Sequence, residues 1–81
     1  MADPHDVELT KLARREFIKH RIDLSLADIR VSHGVVYLRG VVCREKGSTY
    51  EDIHHETERV TRIIRHMPGV RDIVVECTYR N

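Results

Sequence analysis

Six histidines and two cysteines are the residues of this 81-residue chain with the widest chemical reach. His54 and His55 are followed by Glu58, so an imidazole and a carboxylate stand one helical turn apart, a spacing that a metal site uses. Adjacent histidines project about 100° apart on a helix, however, and HHETE is not the H-E-x-x-H arrangement that aims two imidazoles at one ion. A solvated face with Glu58 paired to Arg62 accounts for the same residues. No metal or other cofactor is therefore expected. Cys43 and Cys77 form no C-x-x-C motif and no even-numbered framework of the kind found in secreted mini-domains, so two free thiols are expected. Neither thiol can be given a histidine base from sequence, because such pairs are spatial. With no glycine-rich phosphate loop, the chain reads as non-enzymatic.

Charge narrows the partners. The balance of 14 Lys+Arg against 13 Asp+Glu gives a net charge of +1. That argues against a strongly basic nucleic-acid binder, and no nucleic-acid partner is expected. Local clustering is another matter. Lys11, Arg14, Arg15 and Lys19 fall around Val7, Ile18 and Ile22 on the outer side of a first helix. Cations bordering exposed aliphatics suit anionic phospholipid headgroups at a membrane surface, with Lys11, Arg14, Arg15, Ile18, Lys19 and Ile22 as the contact set. The competing reading is that long basic stems cover those aliphatics for solubility. Four charges at about 1 kcal/mol each supply only weak attraction. No apolar run approaches the ~20 residues of a membrane span and the start lacks a secretory pattern. A cytoplasmic location is expected, with a periplasmic one left open if a leader has been removed.

The elements that position these residues follow from spacing. Asp3 is placed to cap a helix, Pro4 suits its first position, and Leu9, Leu12, Ala13 and Phe17 form its buried stripe. DLSLAD lacks a clean period and reads as a connection. In IRVSHGVVYLRGVV, a two-residue turn at His33-Gly34 sets Val31 opposite Val36 and Ile29 opposite Leu38, with Ser32 opposite Val35 and Arg30 opposite Tyr37. Ser48 and Glu51 suggest a capping box for a second helix. Its core stripe is Ile53, Thr57, Val60, Ile64 and Met67, and Pro68-Gly69 ends it. A last strand sets Ile73, Val75 and Cys77 on one side and Val74, Glu76 and Thr78 on the other. The expectation is an α+β two-layer sandwich in α-β-β-α-β order. Residues 1–6 serve as tail and helix cap, 7–79 as the single domain and 80–81 as its end.

Layer counting then exposes a surface. Two helices cover one face of a three-stranded sheet, leaving the other without a layer. That face carries Val35, Tyr37, Arg39, Val41 and Val74, a mixture suited to contact with a protein partner or another copy of the chain. Gly40 falls on the opposite, core-facing side between Leu38 and Val42, where a missing side chain admits a close helix or marks a bulge.

Three stretches, ADIRVSHGVVYLRGVV, the second-helix stripe and MPGVRDIVVE, resemble the BON family of small bacterial domains, named for osmotic-stress and nodulation proteins. The matching positions are Ile29 and Val31, then Gly34, then Val36, Leu38, Gly40 and Val42, and finally Gly69, Val70 and Ile73. Gly34, Gly40 and Gly69 are the structural glycines of that pattern. The resemblance covers about residues 7–79, as a single-domain member, and its Cys43–Tyr50 loop is longer and more charged than the family pattern. It implies a non-enzymatic module that binds phospholipid surfaces or partner proteins. Through cytoplasmic relatives thought to respond to potassium, it also implies an alternative role in ion or metal response.

Overall fold

The computed structural model describes residues 4–81. Helix α1 spans Pro4–Lys19 and is followed by strands β1, Ile22–Ser32, and β2, Val35–Arg44. Helix α2, Ile53–Arg65, leads to strand β3, Asp72–Arg80. This is an α+β fold in α-β-β-α-β order with two helices packed on one mixed sheet. His33 and Gly34 take φ of 51° and 80°. Such paired left-handed residues build the type I′ turn whose twist matches that of the flanking strands. The expected register follows, with Val31 opposite Val36, Ile29 opposite Leu38 and Arg30 opposite Tyr37. β3 lies on the other side of β2 and parallel to it, giving the order β1-β2-β3. A parallel return needs a crossover, which α2 provides.

One face of the sheet carries the core. Ile29, Val36, Leu38, Val42 and Ile73 pack beneath Ala13 and Phe17 of α1 and Ile53, Val60 and Ile64 of α2, and all are buried. Thr57 is buried in the same stripe because its hydroxyl donates to the Ile53 carbonyl at 2.8 Å. Met67 packs at the margin, as does Tyr50 from the loop. Leu12, expected in the buried stripe, is only half-buried; Asp6 takes a buried place on that side of α1 instead.

Three local expectations change. DLSLAD is not a connection but part of β1. Asp23 pairs with Cys43 and Leu26 with Val41, so one extra residue is accommodated between them as a bulge. The bulge puts Leu24 against the core and Leu26 on the opposite face, 57% exposed. An even-spaced pair on opposite faces is why no clean period shows there. Asp52, not Ser48, caps α2: its carboxylate accepts from His54 N at 3.3 Å, while Asn81 Oδ1 accepts from Ile53 N at 3.0 Å. The Ser48 hydroxyl is occupied by Arg44 Nε at 2.9 Å. Gly40 lies in line with Leu38 and Val42 yet is exposed, so no helix approaches it. Its φ is +98°, and an added Cβ would sit 2.6 Å from the Leu26 carbonyl oxygen and 3.0 Å from Ala27 Cα. The glycine serves the backbone of the neighbouring strand, not a helix. Helix α1 starts at Pro4, the expected first position, and Asp3 lies outside the described residues.

Candidate interaction surface

Alternation along β1, β2 and β3 puts successive residues on opposite faces, so the register defines the uncovered side as well as the core. Five rows cross it. Ser32, Val35 and Asp72 form the first, Arg30, Tyr37 and Val74 the second, Asp28, Arg39 and Glu76 the third, Leu26, Val41 and Thr78 the fourth, and, past the bulge, Asp23, Cys43 and Arg80 the fifth. All five residues expected there, Val35, Tyr37, Arg39, Val41 and Val74, share this face. Both helices pack on the other one. Leu26, Asp28, Arg30 and Glu76 complete the surface, and Leu26 was concealed by the bulge.

The chemistry of this surface is amphipathic. The apolar parts of Val35, Tyr37, Val41 and Val74 are half-buried by their neighbours and Leu26 projects outward. Arg39 lies 5.5 Å from the Tyr37 ring centroid, within cation–π range, and its Nη2 is 3.7 Å from Glu76 Oε1. Arg30 Nε donates to Asp28 Oδ2 at 3.0 Å. These pairs are exposed, so each contributes little to stability. Their value is in orienting charged groups around an apolar centre. A hollow of about 120 Å3 bounded by Asp28, Arg30, Ser32, Tyr37 and Arg39 has room for a single side chain. Three arginines and four carboxylates are interspersed over the five rows, so no sign of charge dominates.

The basic first helix fares differently. Lys11, Arg14, Arg15 and Lys19 are exposed, and Ile18 is 58% exposed among them. Ile22 does not belong to this face. Arg21 has φ 61°, which ends the helical turn, and Ile22 enters β1 as a core residue with 1% exposure. Without it the outward aliphatics are Val7 and Ile18, separated by about 16 Å along the axis. Lys19 Nζ lies 3.7 Å from Glu16, and the hollow beside Ile18 is bordered by Asp23 and Glu45. The Asp23 carboxylate is held below its ordinary pKa by the hydrogen bond it accepts from the Ser25 amide, and so keeps its negative charge. Comparison with protein-family models, curated proteins and solved structures finds no match.

Two of the histidines are drawn into structural contacts. His54 Nε2 is 3.2 Å from Glu58, which therefore pairs backward along α2, and its ring stacks on Tyr79 with centroids 4.4 Å apart. His20 Nδ1 lies 2.8 Å from Glu56 and its Nε2 3.4 Å from Glu16, tying the end of α1 to α2. Glu56 is thus buried on a helix whose apolar stripe gave no sign of it. Among the described residues, no three His, Cys, Asp or Glu side chains are arranged to hold a metal ion.

Gly34 and Gly69 meet at one junction. The Asp6 carboxylate accepts from the backbone N–H groups of His33 and Gly34 at 3.0 and 3.1 Å. Arg71 N donates to the Gly34 carbonyl at 2.8 Å, and an added Cβ on Gly34 would lie 2.8 Å from the Gly69 carbonyl oxygen. Pro68 and Gly69, the latter at φ +90°, occupy a turn closed by Val70 N to Met67 O at 3.1 Å. Proline followed by a left-handed glycine is the type II pattern. The helix start, the hairpin turn and the entry to β3 are therefore locked together, which holds the strands in register beneath the open face.

Proposed function

We propose that this protein is a non-enzymatic interaction module that contacts a protein partner through the open face of its sheet. The observation carrying this reading is the Tyr37-centred apolar surface on the side opposite both helices, bordered by oriented Arg30 and Arg39. Tyrosine and arginine are favoured in contact patches because each combines a large apolar surface with a polar tip. The resemblance to BON domains agrees with a binding role. Headgroup binding by α1 is the weaker reading, since Ile22 is withdrawn and acidic groups flank Ile18.

The test is Tyr37→Glu, which sets a carboxylate in the centre of the face. Its thermal unfolding should match the parent, while any complex made by the parent in sedimentation velocity should dissociate. Anionic vesicles provide the counter-test. Vesicle binding by the parent that Lys11→Glu/Arg15→Glu abolishes and Tyr37→Glu leaves intact would move the binding site to α1.

A further inference from the structure

We propose that the occupant of the open face is a second copy of the same chain, docked sheet to sheet about a two-fold axis that crosses the strands between Tyr37 and Arg39. This rests on the interaction-module reading and specifies its partner. Three observations support it. First, interspersed charge with no dominant sign is unsuited to a strongly acidic or basic partner and is the condition for a face to complement itself.

Second, the first four rows are self-complementary along β1 and β2 under that axis, while on β3 Val74 meets Glu76 and the Cys43 row overhangs. A two-fold across the strands lays the Tyr37 row on the second copy's Arg39 row, and the Val35 row on its Val41 row. Arg30 then meets the second copy's Asp28, Tyr37 meets Arg39, and Val35 meets Val41. Each contact occurs twice, as an isologous interface requires. An axis parallel to the strands would instead stack Arg39 on Arg39. The hollow beside Tyr37 and Arg39 lies close to the proposed axis, where the second copy offers the same two side chains.

Third, the area sets the strength. The overlapping rows, three strands ~4.8 Å apart and about seven residues long, cover roughly 330 Å2 of projected face per copy. Corrugated side chains raise the accessible area, and the pair buries roughly 750 Å2, in the range of weak, transient contacts. An exchanging dimer, dependent on concentration, is the expected form.

The experiment uses the whole chain with Cys43→Ser/Cys77→Ser, carrying either Val35→Cys or Val41→Cys, with folding checked by circular dichroism. In the proposed register an equimolar mixture of the two variants forms a covalent dimer with a short bismaleimide cross-linker, whose reach suits facing positions on sheets ~10 Å apart where a direct disulfide would not span. Each alone does not, because its own thiols lie roughly 20 Å apart across the axis. In sedimentation velocity the parent shows a dimer, and Tyr37→Glu raises its dissociation constant at least tenfold. Equal linking in all three samples overturns the register. A parent that stays monomeric at roughly millimolar concentration overturns the second copy as occupant, while the interaction-module reading survives if a different protein binds and Tyr37→Glu releases it. A dimer indifferent to Tyr37→Glu overturns both readings and directs attention to the sheet edges.

Discussion

Strand β2 presents two surfaces made from alternate residues of one segment, and they differ in what they cost to change. Val36, Leu38 and Val42 point beneath the helices and are fully buried. Val35, Tyr37 and Val41 are equally strand-forming in type but only half-buried, with neighbours on their own sheet and no layer above. Burial of an aliphatic side chain stabilises a fold by about 1.5–3 kcal/mol relative to exposure, so the covered face contributes most of what β2 gives to stability. The open face keeps apolar area that only a partner can remove from water. A short strand can therefore serve folding and recognition together, because the pleat separates the two sets of side chains.

The largest break in that comparison comes from adjacent substitutions. Leu38→Ala should lower stability by about 2–5 kcal/mol through lost burial and the cavity left behind. Arg39→Ser, one residue later, should stay within about 0.5 kcal/mol, as exposed positions usually do. Urea unfolding checks both, with a lower midpoint and an unchanged slope expected for Leu38→Ala. Similar losses for the two would mean that the faces have been assigned wrongly.

Gly40 sharpens the comparison because it sits in line with the core residues without being covered. A helix pressed against it would tolerate Ala and reject Val, the signature of overpacking. The backbone geometry gives a different expectation. The Leu26 carbonyl oxygen meets the Cβ position itself, and φ of +98° disfavours any L side chain. Gly40→Ala should already carry most of a loss of roughly 1–3 kcal/mol, and Gly40→Val should add little. Thermal midpoints of the two variants decide, and a Val loss several times the Ala loss would restore the helix-approach explanation.

These cases show what alternation makes legible. The hairpin, its register and the five open-face residues follow from His33-Gly34 and a period of two, because a one-residue slip would reverse every side chain. The first half of β1 was hidden by the same rule, since the bulge between Asp23 and Leu26 inserts a residue and resets the period. Ile22 was misplaced for a related reason: helical spacing extended one residue past the left-handed Arg21 that ends the turn. Asp6 and Glu56 were beyond reach for a different cause. Each carboxylate is buried by a partner distant in sequence, the hairpin N–H groups for Asp6 and His20 for Glu56. Only the fold brings those partners together.

The two cysteines give the smallest and most specific test, since they fall on opposite faces of the sheet. Cys43 lies in the row beyond Val41 on the open side, while Cys77 pairs with Gly40 on the helix side and shares a hollow with His54 and Tyr79. Burial pushes the Cys77 thiol above its ordinary value of 9.0, only partly offset by its hydrogen bond with Tyr79. Burial likewise pushes the Tyr79 phenol up, helped by its contact with Cys77 and the nearby Glu58 carboxylate. Both groups bind their protons more tightly folded than unfolded. Their contribution is therefore fully present below the unfolded values and is lost as pH rises through the folded ones. Stability should be flat with respect to these two groups at neutral pH and decline above about pH 9. At pH 8, iodoacetamide should modify Cys77 more slowly than an unstructured cysteine, because less of it is thiolate. Cys77→Ser should leave the slow-reacting thiol absent from the mass spectrum. A Cys77 that reacts as fast as the unstructured thiol would place it in a solvated environment and remove the burial on which the alkaline decline depends.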